Sequence, residues 1–542
     1  MAIIAASCAA VYCSAQAQME NRTQIPSGPY RIAGIVVNAK AGNPLGRCRV
    51  TITDAKNRQS VQSLVTGDDG RFEFHVPAGK YSLGGAKRGF IGALYNQHEQ
   101  FSTAIVTGAD LDTENLVLRL APSAVLTGKV LDEFGDPVRN AQITVYREDR
   151  SQGVSRINHF RFASTDDQGR YEVTRLDEGT YFVSAKAEPW YAVHPASTAG
   201  NAGILPSQVD SSLDVAYPNT YYGDATEAED ATPIPVRGGD HLEADIHLNP
   251  VPSLHLLVHV PEDGSPHGII FPTLQKPSFD GLEETESTRI QSIAPGVFEL
   301  SGVAAGRYTV RIPDSAGHSR ESSEVDLNGG GELDLSSGNL TSKIKATVKI
   351  EGAAELPSSL HIRLRNSKGG VNAAPVDAKG EVNFSDVVAG KYEALAGSAT
   401  QCYSVARIAS EAGIVSGQSL NVPPGATLSL SLSLVEGSVT VEGFARRDGK
   451  AVSGAMVVLV PKNAEAEQDR FRRDQSDLDG SFSLRGVIPG SYTVIAIENG
   501  WDLDWAQPGV LARYLKQGGA IEVGSHSATA IHLADDVEVQ TK

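Results

Sequence analysis

One short pattern occurs five times in this chain, and it limits the fold more than any other feature. Gly79-Lys80-Tyr81 has counterparts at Gly179-Thr180-Tyr181, Gly306-Arg307-Tyr308, Gly390-Lys391-Tyr392 and Gly490-Ser491-Tyr492. Nine or ten residues before each stands another glycine, at 70, 169, 296, 380 and 480. Two positions after that glycine comes an apolar residue: Phe72, Tyr171, Phe298, Val382 or Phe482. Such constant internal spacing marks a repeated structural unit, which outranks any short motif inside it.

Within one copy, Phe72, Phe74 and Val76 alternate with Arg71, Glu73 and His75, the period of a strand with one face buried. Tyr81 and Leu83 begin a second alternating strand, and Pro77-Ala78-Gly79 supplies turn chemistry between the two. The pair predicts a β-hairpin in every copy. Further strands frame it: Ile35 and Val37, then Val50 and Ile52, ahead of copy one, and Leu116, Leu118 and Leu120 behind it. About seven short strands per unit with regular turn signals predict an antiparallel β-sandwich.

The whole chain therefore reads as all-β, with five tandem transthyretin-like or immunoglobulin-like sandwiches at 30–122, 123–250, 251–338, 339–437 and 438–536. Copies three and four are divergent in their first strands, and copy two carries a loop insertion at 188–232. Junctions such as Ala121-Pro122-Ser123 are short, so the expectation is an elongated chain: a semi-rigid rod or a curved string. The abundance of glycine (54 residues) suits many tight turns.

Residues 1–17 are apolar and small and end in Ala15-Gln16-Ala17, which predicts a secretory signal peptide whose basic n-region is missing. Anchoring as a lipoprotein at Cys8 is the weaker option, and 18–29 is a linker. No other run is long and apolar enough to span a bilayer once the signal is removed. The expected location is secreted, periplasmic or attached to the cell surface of a bacterium. Cys48 and Cys402 remain, too few for a disulfide framework or a cysteine-based zinc site. A formal charge of −18 argues against nucleic acid, since no excess of Lys and Arg exists to displace counterions from phosphates.

The series Gly34-Ile35-Val36, Pro44-Leu45, Val50-Thr51-Ile52, Asp69-Gly70-Arg71-Phe72 and Gly79-Lys80-Tyr81 resembles the carboxypeptidase regulatory-like domain, the sandwich that follows the catalytic domain in some zinc carboxypeptidases. The resemblance covers nearly the whole mature chain, so little remains to hold a catalytic domain. It implies the sandwich fold, an extracytoplasmic setting and a non-catalytic role, and some relatives with a similar sandwich are described as starch-binding-like. The collagen-adhesin stalk domains share the Asp-Gly-x-Phe…Gly-x-Tyr part of this series, but they normally place a catalytic Glu four residues after the Tyr. Here those positions are Gly85, Ala185, Ile312, Ala396 and Ala496, so isopeptide chemistry is rejected.

No catalytic constellation is found. His259-Val260-Pro261-Glu262 has the spacing of a zinc pair but lies in an alternating strand with no third ligand identifiable. The stretch Asp474 to Gly486 fails as a calcium loop, because Gly486 stands where the bidentate Glu belongs. Gly443 with Gly449-Lys450 fails as a P-loop, with Ala451 in place of Ser or Thr. No catalytic residue, cofactor or metal is expected.

The aromatic residues offer the better lead. Phe90, Trp190 and Trp501 each lie nine residues after the repeat tyrosine, where they are expected mainly to plug the open end of each core. Trp190, Tyr191, Tyr217, Tyr221, Tyr222, Trp501 and Trp505 are the candidate ligand-binding residues, on loops where flat aromatic plates could stack on sugar faces. The first functional reading is a non-catalytic binding or spacer protein, partnered by a polysaccharide or another envelope protein. The second is a carbohydrate-binding protein using loops of copies two and five. The third is an accessory subunit of a peptidase or outer-membrane transport system.

Overall fold

The structure is a computed structural model that describes residues 23–542 apart from 109–110, 196–209, 260–270, 287, 314–318, 322–323, 330, 335–338, 353–354, 367–370, 400, 411–414, 417, 466, 508 and 525–528. The expected signal segment, Cys8, part of the copy-two insertion and the His-x-x-Glu tail at 260–262 lie outside the described residues. The protein is almost entirely β, built of paired sheets.

Repeat 1 sets the pattern. Its strands are β1 (Tyr30–Asn38), β2 (Arg49–Asp54), β3 (Val61–Val65), β4 (Arg71–Val76), β5 (Gly79–Ala86), β6 (Ala93–Leu94), β7 (Ile105–Thr107) and β8 (Leu116–Leu120). One sheet runs β4-β1-β8; the other runs β3-β2-β5, with β6 and β7 both on β5. The β1–β4 pair is antiparallel, and β8 lies parallel to β1. A parallel closing strand recurs in every repeat, at Val125↔His241, Leu256↔Gly331, Ile344↔Leu428 and Val441↔Ile531.

The expected hairpin is corrected by this topology. β4 and β5 do not pair with each other: β4 joins β1, while β5 joins β2 in the opposite sheet. The same division holds for the equivalent strands in repeats 2, 3 and 4; in repeat 5 they again take different partners, but Val537–Thr541 pairs with both halves and joins them into one sheet. The signature is thus an arch that carries the chain from one sheet to the other. Strands facing each other across a core show the same inward alternation as strands side by side, so periodicity alone does not separate the two.

The repeat tyrosine secures the arch. Its hydroxyl donates to the carbonyl four residues upstream in all five copies: Tyr81 to Pro77 at 3.1 Å, Tyr181 to Asp177 at 3.0 Å, Tyr308 to Ala304 at 2.9 Å, Tyr392 to Val388 at 2.9 Å and Tyr492 to Ile488 at 2.6 Å. The bond satisfies a carbonyl at a corner where no ladder partner exists, with its ring buried beneath. The Gly-x-Val element has its own cause. Gly34, Gly128 and Gly443 pair directly with Phe72, Tyr171 and Phe482, and a Cβ at each would stand 2.9, 2.7 and 2.8 Å from that ring. Repeat 4 solves the same problem with Ala346 opposite Val382.

Each repeat encloses its own apolar core. Representative members are Ile32, Phe74 and Leu83; Leu126, Ile143 and Val183; Val258, Leu300 and Val310; Val348, Ile362 and Leu432; Val441, Leu459 and Val494. Burying each such side chain is worth about 1.5–3 kcal/mol before ordering costs. Repeat 5 adds a second apolar layer on the outer face of one sheet: Met456, Val458, Ile495 and Ile497 pack beneath Leu511 and Tyr514.

The curved string expected from the short junctions closes on itself, so the chain does not continue as a rod. Repeat 5 packs against repeat 1 and touches a loop of repeat 2. Lys80 meets Asp477 at 2.7 Å, Leu478 packs onto the repeat 1 core, and Arg473 grips Glu99 with two bonds of 3.2 and 2.7 Å. The Ala506 amide donates to the Gly153 carbonyl at 2.9 Å.

A polar cleft between two sandwiches

The aromatic candidates separate into three settings. Trp501 stacks on His98, ring centroids 5.1 Å apart and 4° from parallel, and donates its indole N–H to the Gly454 carbonyl at 3.1 Å. Trp505 lies under the Arg473 guanidinium at 4.4 Å and against Gly153, where a Cβ would stand 2.6 Å from its ring. Both belong to the seam joining repeat 5 to repeats 1 and 2. Tyr221 is buried in the seam between repeats 2 and 3, its ring 5.5 Å from Phe279 and its hydroxyl 3.1 Å from the Ser278 hydroxyl. Tyr222 is half-buried on the repeat 2 core. The faces of these four rings are spent on protein contacts.

Trp190, Tyr191 and Tyr217 occupy the third setting. Tyr191 and Tyr217 donate to the two oxygens of one carboxylate, Glu133, the latter at 2.8 Å. Burial alone would raise the Glu133 pKa, but these two hydroxyls hold it below the usual carboxylate range. The same environment pushes Tyr191 up to about 12, through burial first and then the Glu133 bond. Fixed in this way, Tyr191 supports Trp190 edge to face at 5.8 Å. Trp190 itself is 88% exposed, so the core-plug expectation fails for this residue. Phe134, beside Glu133, is exposed too. Phe90 does pack on its own core, and Trp501 packs on the outer layer of repeat 5 instead.

Residues on both sides of Trp190 in the chain, Pro189 and Ala192, line a cleft of about 510 Å³ between repeats 2 and 3. Its walls are mostly polar, with Arg139, Lys186, Asn219 and His194 from repeat 2 and Glu286 and Arg289 from repeat 3. Behind the cleft runs a chain of hydrogen-bonded side chains: His194 to Asp214 at 2.9 Å, Asp214 to His255 at 2.7 Å and His255 to Glu299 at 2.8 Å. Burial works against protonated His255, yet Glu299 and Asp214 together raise its pKa above the ordinary histidine value. Sequence reading reached this cleft through Tyr217 and the Trp190 loop but not through Arg139, Asn219 or Arg289. Those residues converge only because two repeats meet, and no spacing in one repeat announces it.

Among the described residues, no group of three or more His, Cys, Asp or Glu side chains is arranged to hold a metal ion. No helix among them is long and apolar enough to cross a membrane. The cleft lining offers hydrogen-bonding groups and arginine charge.

Residues 125–202, within repeat 2, match the carboxypeptidase regulatory-like domain. No curated protein matches the chain. Among solved structures, the chain is similar to the TIE protein of Bacillus anthracis, with 11% identity over 72% of this chain and 69% of that one and a TM-score of 0.17. It is also similar to GBS52, the minor pilin of Streptococcus agalactiae, with 14% identity over 44% and 100% and a TM-score of 0.22. The major pilin subunit BcpA of Bacillus cereus gives 12% identity over 58% and 99% and a TM-score of 0.14. At these TM-scores the likenesses carry no argument about what this chain does.

Proposed function

We propose that this chain, whose second repeat carries a carboxypeptidase regulatory-like domain, is a non-catalytic binding protein of the bacterial cell surface that holds a saccharide at the cleft beside Trp190. Five sandwich units, at 30–122, 123–250, 251–338, 339–437 and 438–536, form the scaffold. The observation that carries the reading is the exposed Trp190 ring, backed by a Tyr191 that is fixed through Glu133 and Tyr217, in a loop whose Pro189 and Ala192 line a polar cleft. A large aromatic left in water usually marks a surface that meets something. A concave site with a few fixed polar groups beside an apolar plate suits a ligand with alternating hydroxyls and C–H faces.

The test is a glycan array followed by titration calorimetry on wild type and Trp190→Ala. Wild type is expected to bind at least one glycan, with affinity at least about tenfold weaker in the variant, equivalent to about 1.4 kcal/mol. A protein that binds no glycan removes the saccharide reading. Trp505→Ala and Tyr222→Ala are poor probes, since these rings already contact protein.

A further inference from the structure

The cleft carries a charge pattern that narrows the ligand. Three cations line it, Arg139, Lys186 and Arg289, on a chain whose formal charge is −18. Lys186 is already neutralised: its ammonium sits 3.1 Å from Glu286 and also donates to the Thr285 carbonyl. Arg139 and Arg289 take part in no ion pair among the described residues, although carboxylates outnumber cations over the whole chain (65 against 47). One comes from repeat 2 and the other from repeat 3, and both open onto the same cleft. With Glu188 at the rim counted, the lining still has one net positive charge.

A second, independent observation lies deeper. Asn219 is only 6% exposed, lines the cleft, and its side-chain oxygen has no hydrogen-bond partner. The second oxygen of Glu286, also buried on the cleft wall, has none either. A buried acceptor left without a donor is costly, so a ligand hydroxyl that reaches it is favoured over a ligand without one.

We infer that the cleft takes an acidic saccharide, whose carboxylate is held between Arg139 and Arg289 while its hydroxyls donate to Asn219 and Glu286 and one ring face lies on Trp190. This rests on the saccharide reading above and adds the charge. Arginine suits the task because its planar fork pairs with a carboxylate through two parallel bonds. Lysine in its place keeps the charge and loses the fork.

The experiment compares oligogalacturonate with its fully methyl-esterified counterpart, and both with neutral glucans and mannans, on the full chain. Wild type is expected to bind the uronate at least tenfold more tightly than the ester, with affinity falling as salt rises. Arg139→Gln/Arg289→Gln should lose that preference, and Arg139→Lys/Arg289→Lys should keep only part of it. Circular dichroism and the melting temperature establish that the variants are folded, which exposed arginines should allow. Equal binding of uronate and ester, or an unchanged preference in the glutamine variant, overturns the inference. Binding of neutral glycans alone overturns it too and leaves the saccharide reading intact. Binding of none removes both.

Discussion

Two seams in this molecule are built from similar ingredients and end differently. Where repeat 5 meets repeats 1 and 2, most of the large polar groups find a mate across the boundary, the buried Trp505 indole N–H being an exception. Arg473 pairs with Glu99, Lys80 with Asp477, and Gln475 with Asn96, Thr103 and His98, while Trp501 and Trp505 fill the gaps between them. Where repeat 2 meets repeat 3, one end is sealed by Tyr146, Tyr221 and Phe279, but the other opens into the polar cleft with unsatisfied acceptors. A closed seam holds a shape; an open one leaves surface to offer.

The sharpest way to break the contrast is to attack the closed seam. Arg473 is 4% exposed in its side chain and Glu99 20%. Arg473→Ala leaves a partly exposed carboxylate without its partner and removes the cation over Trp505, at a cost of about 2–3 kcal/mol. Chemical denaturation should show that loss. Small-angle scattering should show a larger radius of gyration as repeat 5 swings free. A variant with the scattering profile of wild type would mean that other contacts hold the closure.

How much of this was legible beforehand depends on which side of a strand is asked. Period-two alternation placed Phe72, Phe74, Leu83 and their equivalents in the cores, because inward faces obey one rule wherever the sheet goes. The same rule makes the arch look like a hairpin, because it is blind to which sheet a strand joins. Repeat 5 did carry a visible warning: Met456 through Val460 is continuously apolar, and all five residues are buried, the pattern of a strand covered on both faces. That run marks the outer layer on which the closed seam rests. The open seam gave no such sign. Arg139 sits in an ordinary turn and Arg289 at the start of a strand, and only the packing of two sandwiches brings them to one cleft.

A smaller effect should distinguish the seams by pH. The groups facing His255 are Asp214 from repeat 2 and Glu299 from the neighbouring strand, with His194 beyond Asp214. The folded-state pKa of His255 lies above its unfolded value, so the protonated form is favoured by folding. The resulting stabilisation is complete below about pH 6.5 and fades as pH rises through the higher folded value. Amide exchange in strands flanking the repeat 2–3 seam should therefore quicken as pH rises above about 6.5, beyond its intrinsic pH dependence. His255→Gln should flatten that slope, while amides at the repeat 1–5 seam should be indifferent to the variant. An equal slope in the variant would place the titration elsewhere.

The smallest stability effect belongs to Trp190, and its smallness is the point. Trp190 and Trp501 occupy the same place in their repeats, nine residues after the tyrosine, yet one stacks on His98 and the other stands in water. Trp501→Ala should cost about 3 kcal/mol, at the lower edge for a lost tryptophan because the ring is half-buried. Trp190→Ala should change stability by no more than about 0.5 kcal/mol, as exposed side chains generally do. Measured together, the pair asks whether a ring at one repeat position holds the protein together or faces outward for a ligand. If Trp190→Ala melted the protein as deeply as Trp501→Ala, the rim would be structural and the cleft would lose its plate. If it left the melting temperature in place and removed glycan binding, two copies of one sequence position would have been given two different tasks.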